Sequence, residues 1–144
     1  MENFTSTYLH TYKQGDYTMK NMSIEATKYT PSIEFDATSR VLSITGKSYP
    51  ENTFEFYTPV TEWIKEFLTK LNGDTILLNL DLEYLNSSSL KAYFDLFDLL
   101  EGASLKGASI KIKWLYDEEN DIAEETGEDF IEDFKDLDIE LVIK

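Results

Sequence analysis

The sequence predicts an α/β fold: one domain, a mixed β-sheet and three helices. Three observations carry this. Short runs that alternate apolar and polar residues mark six strands, longer segments with apolar residues three and four apart mark three helices, and the two kinds alternate through the second half of the chain. Strands separated by helices imply crossover connections and parallel pairing, whereas the early strands, joined by turns, could pair antiparallel. A chain of 144 residues is most simply one domain, and its 42% hydrophobic content, with nine Phe, nine Tyr and two Trp, is enough for a core.

The elements follow in order. Residues 1–22, "MENFTSTYLHTYKQGDYTMKNM", are polar, lack a sustained period and hold the single histidine, His10. They read as a loosely ordered extension, which leaves 23–144 as the domain. "SIEAT" and "SIEFDA" are short β-like runs around a turn at Pro31, and "RVLSITG" alternates with Leu42 and Ile44 on one face. The first helix carries Val60, Ile64, Phe67 and Leu71 in one stripe, flanked by Tyr57, Trp63 and Leu68. Its start has two readings: a capping box of Asn52 with Glu55, or a Thr58 cap followed by Pro59. Gly73 in "LNGD" suits its end.

"TILLNLDLEY" is the cleanest strand, with Ile76, Leu78, Leu80, Leu82 and Tyr84 facing one way. Three serines follow, then a helix to about Leu105 that "GASLKGAS" closes. "IKIKWLY" alternates again, and an acidic segment places Ile122, Phe130, Ile131 and Phe134 at helical spacing. "IELVI" is the last strand. The order is β-β-β-α-β-α-β-α-β.

Charge and composition exclude several functions. With 28 acidic against 13 basic side chains, a formal charge of -15, the chain is repelled by nucleic acid and by anionic membranes and attracted by basic proteins. Twelve of the acids fall between Asp117 and Asp138, beside a single Lys, which makes that segment a solvated helix face or a docking surface. The absence of cysteine removes thiolate chemistry, and no apolar run approaches the ~20 residues of a membrane span, so a soluble cytoplasmic protein is expected. No nucleotide-binding, metalloprotease or serine-hydrolase motif is present, and without cysteine or a partnered histidine the usual nucleophile–base pairs cannot be assembled. "DEENDIAEETGE" resembles a calcium loop only loosely: Gly127 comes too late and Ile122 interrupts the ligand spacing. No enzyme, cofactor or metal site is expected.

The junction "LNSSSLK" remains. One of Ser87, Ser88 and Ser89 is expected to cap the helix through its hydroxyl. A helix N-terminus also suits a phosphate. Lys91 opposes the helix dipole, but it lies four residues after Ser87 and would become a partner of a phosphate there. On this helix Lys91, Asp95 and Asp98 form one narrow polar stripe, so the apolar surface is wider than a sheet needs. Either neighbouring helices bury the excess, or the flank with Ala92, Leu96 and Leu99 binds a partner, with Tyr84 beside it.

Four stretches, "SIEATKYTPSIEFD", "SITGKSYPENTFEFYTPVTEWI", "LDLEYLNSSSLKAYFDLFDLLE" and "IKWLYDEENDIAEETGEDFIEDF", resemble the SiaC family of bacterial regulatory phosphoproteins. Ser48 to Asn52 and Tyr84 to Ser89 are the most specific parts. The resemblance implies a STAS-like architecture, as in anti-anti-sigma-factor proteins, and a switch rather than an enzyme. It implies a Ser/Thr protein kinase (SiaB-like) that phosphorylates the hydroxyl after the Asn, and a PP2C-type phosphatase (SiaA-like) that removes the phosphate. The unmodified form would bind and activate a diguanylate cyclase, linking the protein to cyclic-di-GMP signalling and biofilm regulation. Carried over, the acceptor is Ser87, directly after Asn86, with Ser88 the fallback and Ser89 and Lys91 as further neighbours of the phosphate. The alternative is a constitutive interaction domain whose serines only cap the helix.

Overall fold

The structure, a computed structural model, describes residues 19–144. Its elements are β1 (Met22–Ile24), β2 (Ser32–Asp36), β3 (Val41–Ser48), α1 (Thr53–Lys70), β4 (Thr75–Leu85), α2 (Ser87–Leu105), β5 (Ser109–Tyr116), α3 (Asp121–Asp133) and β6 (Asp138–Ile143). The fold is the mixed α/β domain that the sequence predicts. Six strands lie side by side in chain order; β1, β2 and β3 pair antiparallel, and β3 to β6 pair parallel.

This order has a simple consequence. Each parallel crossover moves to the next strand in the same direction, and right-handed crossovers then put every helix on one face of the sheet. Burial follows suit. Ile76, Leu78, Leu80 and Leu82 of β4 are buried beneath the helices, as are Ile110, Ile112 and Trp114 of β5, while Leu77, Asn79, Lys111 and Lys113 on the other face are half-exposed. The same crossovers bring the starts of α1, α2 and α3 to one end of the molecule, beyond the carboxyl ends of the parallel strands.

Three details differ from the sequence reading. The expected boundary at residue 23 falls inside β1: Met19 and Met22 are core residues, and the Trp63 indole donates a hydrogen bond to the Lys20 carbonyl at 2.9 Å. Residues 19–22 therefore belong to the folded unit; the rest of the expected extension, with His10, lies outside the described residues. Tyr84 leaves the core face of β4 because the register shifts between Gly46 and Lys47, where Leu82 and Tyr84 oppose consecutive residues of β3 and Glu83 is bulged. In α3, Phe130 and the capping Phe134 are buried but Ile122 and Ile131 are exposed. The helix meets the sheet instead through Ala123, Gly127 and Phe130. A Cβ at Gly127 would lie 2.6 Å from both Trp114 and Leu141, so only glycine allows this close an approach.

Candidate functional site: a hydroxyl seam between two helix starts

All three helices among the described residues start in the same way. Asn52, Asn86 and Asn120 cap α1, α2 and α3, each side-chain carbonyl accepting a hydrogen bond from the amide three residues on, at Glu55, Ser89 and Ala123. Of the two readings of α1, the one that starts it at Asn52 is correct, with Pro59 inside the helix. For α2 the cap is Asn86 and not a serine; Asn86 Oδ1 accepts from the Ser89 amide at 2.8 Å. The serines are freed from capping, and each does something different.

Ser89 is fully buried. Its hydroxyl is hydrogen-bonded to Ser48 Oγ at 2.7 Å, Ser48 Oγ to the Tyr57 hydroxyl at 2.6 Å, and Tyr57 donates to the Tyr93 hydroxyl at 3.0 Å. Each hydroxyl has one proton, so with Tyr57 donating to Tyr93, Ser48 donates to Tyr57 and Ser89 to Ser48. This buried chain ties the end of β3 and both helices together. Burial pushes the Tyr57 hydroxyl pKa above its usual range, and the Tyr93 hydroxyl well above, with Tyr57 beside it adding to the rise.

Ser88 is exposed but engaged. Its hydroxyl donates to Asn86 Oδ1 at 3.2 Å and is hydrogen-bonded to Thr53 Oγ1 at 2.6 Å, which joins the first turns of α1 and α2. Ser87 is exposed, and its hydroxyl has no hydrogen-bond partner among the described residues. Of the three, only Ser87 combines access with an unengaged oxygen.

Charge singles out the same place. The first turn of α1 holds Glu55 and that of α3 holds Asp121 and Glu124, carboxylates that favour the positive end of a helix. The first turn of α2 holds no acid. Lys91, one turn further on, forms an ion pair with Asp95 at 3.1 Å, four residues apart on the exposed helix surface. A phosphate on Ser87 would therefore supply the missing anion and compete with Asp95 for Lys91.

The expected partner-binding flank is corrected in part. Leu96 is 6% exposed and belongs to the core, because α1 packs alongside α2 and covers that stripe. Ala92 and Leu99 are half-buried against the same core. Ala92 lines a groove of about 520 Å³ between α1 and α2 that runs from Thr53 and Ser88 to Lys65. Tyr84, by contrast, is 51% exposed, and Phe54 in the first turn of α1 is 78% exposed. Sequence periodicity missed Phe54 as a surface residue; its place just after an Asn cap, ahead of the buried stripe, was the available signal.

Fold and seam together define a class, the small α/β regulatory domains that carry hydroxyls at a strand-to-helix junction. Within it, the chain belongs to the SiaC family of regulatory phosphoproteins, whose family model matches residues 24–144. Two crystal structures from Pseudomonas aeruginosa are similar. The complex of the diguanylate cyclase SiaD with its activator SiaC matches with a TM-score of 0.80 and 36% identity, over 85% of this chain and 99% of that one. Apo-SiaC matches with a TM-score of 0.77 and 37% identity, over 88% of this chain and 99% of that one. An uncharacterized protein of Pseudomonas aeruginosa strain UCBPP-PA14 is 41% identical over 116 residues, 80% of this chain and 90% of that protein. No helix among the described residues is long and apolar enough to cross a membrane.

Proposed function

We propose that this chain is a phosphorylation-switched regulatory protein: unmodified, it binds a signalling partner, and a phosphate on Ser87 prevents that binding. One observation carries the reading. Ser87 is the only serine of the seam whose hydroxyl is exposed and unengaged, and it opens the only one of the three helices whose first turn has no acid. Phosphorylation adds about -1.5 to -2 charges and three acceptor oxygens there. The amides of the first turn favour that charge, whereas a partner burying Phe54 or Tyr84 must desolvate it and loses affinity.

The family supports the rest of the scheme. A Ser/Thr kinase adds the phosphate, a PP2C-type phosphatase removes it, and the partner is a diguanylate cyclase, as SiaD is for SiaC. Ser88 is the weaker acceptor, because its modification would first break the Thr53 bridge. Ser89 is closed to any kinase by its burial.

The test is intact-mass measurement of the protein from its own cells, wild type beside Ser87→Ala and Ser88→Ala. Wild type and Ser88→Ala should each carry a species heavier by one phosphoryl group, and Ser87→Ala should not. A phosphorylated Ser87→Ala protein would move the acceptor elsewhere; no phosphorylated species in any sample would favour constitutive binding.

A further inference from the structure

Resting on the partner-binding role proposed above, we infer that the docking surface is the end of the molecule where the three helices start, and that its occupant is a protein face with basic side chains around an apolar centre. The exposed large apolar residues are unevenly placed. Among the described residues, Phe54, Tyr84, Tyr29, Ile122 and Ile143 lie at that end, as does Ser87; Leu105 and Ile131, late in α2 and α3, do not. On one side the Tyr29, Tyr49 and Tyr84 rings meet edge to face at 5.3 and 5.8 Å. On the other side Ile122 borders a crevice of about 190 Å³ that Tyr84, Leu85 and Leu90 also line. Single exposed apolar residues are ordinary; five gathered at the end that also carries the free hydroxyl, with aromatic members, have the composition of an interface centre.

Charge names the occupant. The exposed carboxylates of Glu51, Glu55, Glu83, Asp117, Glu119 and Asp121 stand among the same residues. Of the lysines there, Lys91 is paired with Asp95 and Lys144 with Asp81, which leaves exposed Lys28, over the Tyr29 ring, and Lys47, opposite Tyr84, against these six carboxylates. An acidic rim repels anionic membranes, nucleic acid and a second copy of itself, and it attracts a basic protein face. It also changes how the switch works. A basic partner is not repelled by a phosphate at long range, so the phosphate acts at the apolar centre, by the desolvation it demands. Phosphorylation should then speed dissociation far more than it slows association.

The test places the photo-crosslinking residue benzoylphenylalanine at Phe54, Ile122 or Leu105, one at a time, in the full chain in its own cells, with crosslinked peptides identified by mass spectrometry. Positions 54 and 122 should crosslink to one and the same protein, through segments rich in Lys and Arg, and position 105 should not. With that protein purified, raising NaCl from low to high should slow association by about tenfold or more. Crosslinks from position 105 alone, from none of the three, to a second copy of this chain or to an acidic face would overturn the surface. Repeating the experiment in Ser87→Glu separates the two readings. Crosslinks at 54 and 122 that persist there refute the switch and leave the surface standing. A partner found only through position 105, and lost in Ser87→Glu, refutes the surface and leaves the switch.

Discussion

The starts of α2 and α3 share a cap and differ in almost everything else. Asn86 and Asn120 each accept a hydrogen bond from the third amide of their helix, and each helix follows one of the two parallel neighbours β4 and β5. After Asn120 come Asp121 and Glu124, so the helix dipole is already matched by carboxylates. After Asn86 come three hydroxyls, of which one is locked in a buried chain, one bridges to α1 and one is free. One start is electrostatically complete; the other is built firmly and left without an anion. That difference is what the proposed switch at Ser87 would use: a stable scaffold with room for a charge that comes and goes.

The two helices are also held differently, and the largest effect should come from α3. Its grip is steric, so Gly127→Val should drive a side chain into Trp114 and Leu141 and cost about 3 kcal/mol, read as a lower denaturant midpoint. An unchanged midpoint would show that α3 can lift off the sheet without penalty.

The grip on α2 is polar. Ser48→Ala should leave the buried Ser89 hydroxyl without an acceptor and the Tyr57 oxygen without a donor, and cost about 2 kcal/mol in chemical denaturation. The same substitution at Ser87, whose hydroxyl binds nothing, should stay within about 0.5 kcal/mol.

The buried chain also gives α2 a pH signature. Tyr57 and Tyr93 have folded-state pKa values raised above 10.0, chiefly by burial. Unfolded, these groups lose their protons first, so their contribution to stability is full below pH 10 and is lost as pH rises beyond it. Unfolding followed across the alkaline range should show this decline, and a Tyr57→Phe/Tyr93→Phe chain should show a shallower one.

The smallest effects test the difference in charge directly. Ser87→Asp should stabilise the protein by about 0.3–1 kcal/mol at low ionic strength, and Asp121→Ser should destabilise it by a similar amount. Both should fade in high salt. If Ser87→Asp were destabilising at low salt, the start of α2 would not favour an anion.

Much of this was legible beforehand. The alternation of "TILLNLDL" and "IKIKWLY" located β4 and β5, the Asn52–Glu55 spacing gave one of two readings of the start of α1, and the motif around Asn86 pointed to the correct family. The misses have physical causes. Alternation puts Tyr84 on the face of Ile76 and Leu82, although the site reading names it as partner-binding, because strict alternation does not register a bulge. Leu96 stands between partner face and covered core because a helix pattern does not tell which neighbour will cover it. Ile122 reads as an inward residue because α3 buries a glycine face, and glycine carries no hydrophobic signal.

Local chemistry is enough to set strands, helices and caps, since these depend on residues within a turn or two of one another. Which serine is buried, which is bridged and which is free depends on Ser48 and Thr53, 41 and 35 residues away. Those contacts exist only after the parallel crossovers have brought the ends of β3 and β4, and the starts of α1 and α2, side by side. A pattern of near neighbours holds no record of that meeting, because the sheet and not the local chain determines who the neighbours are.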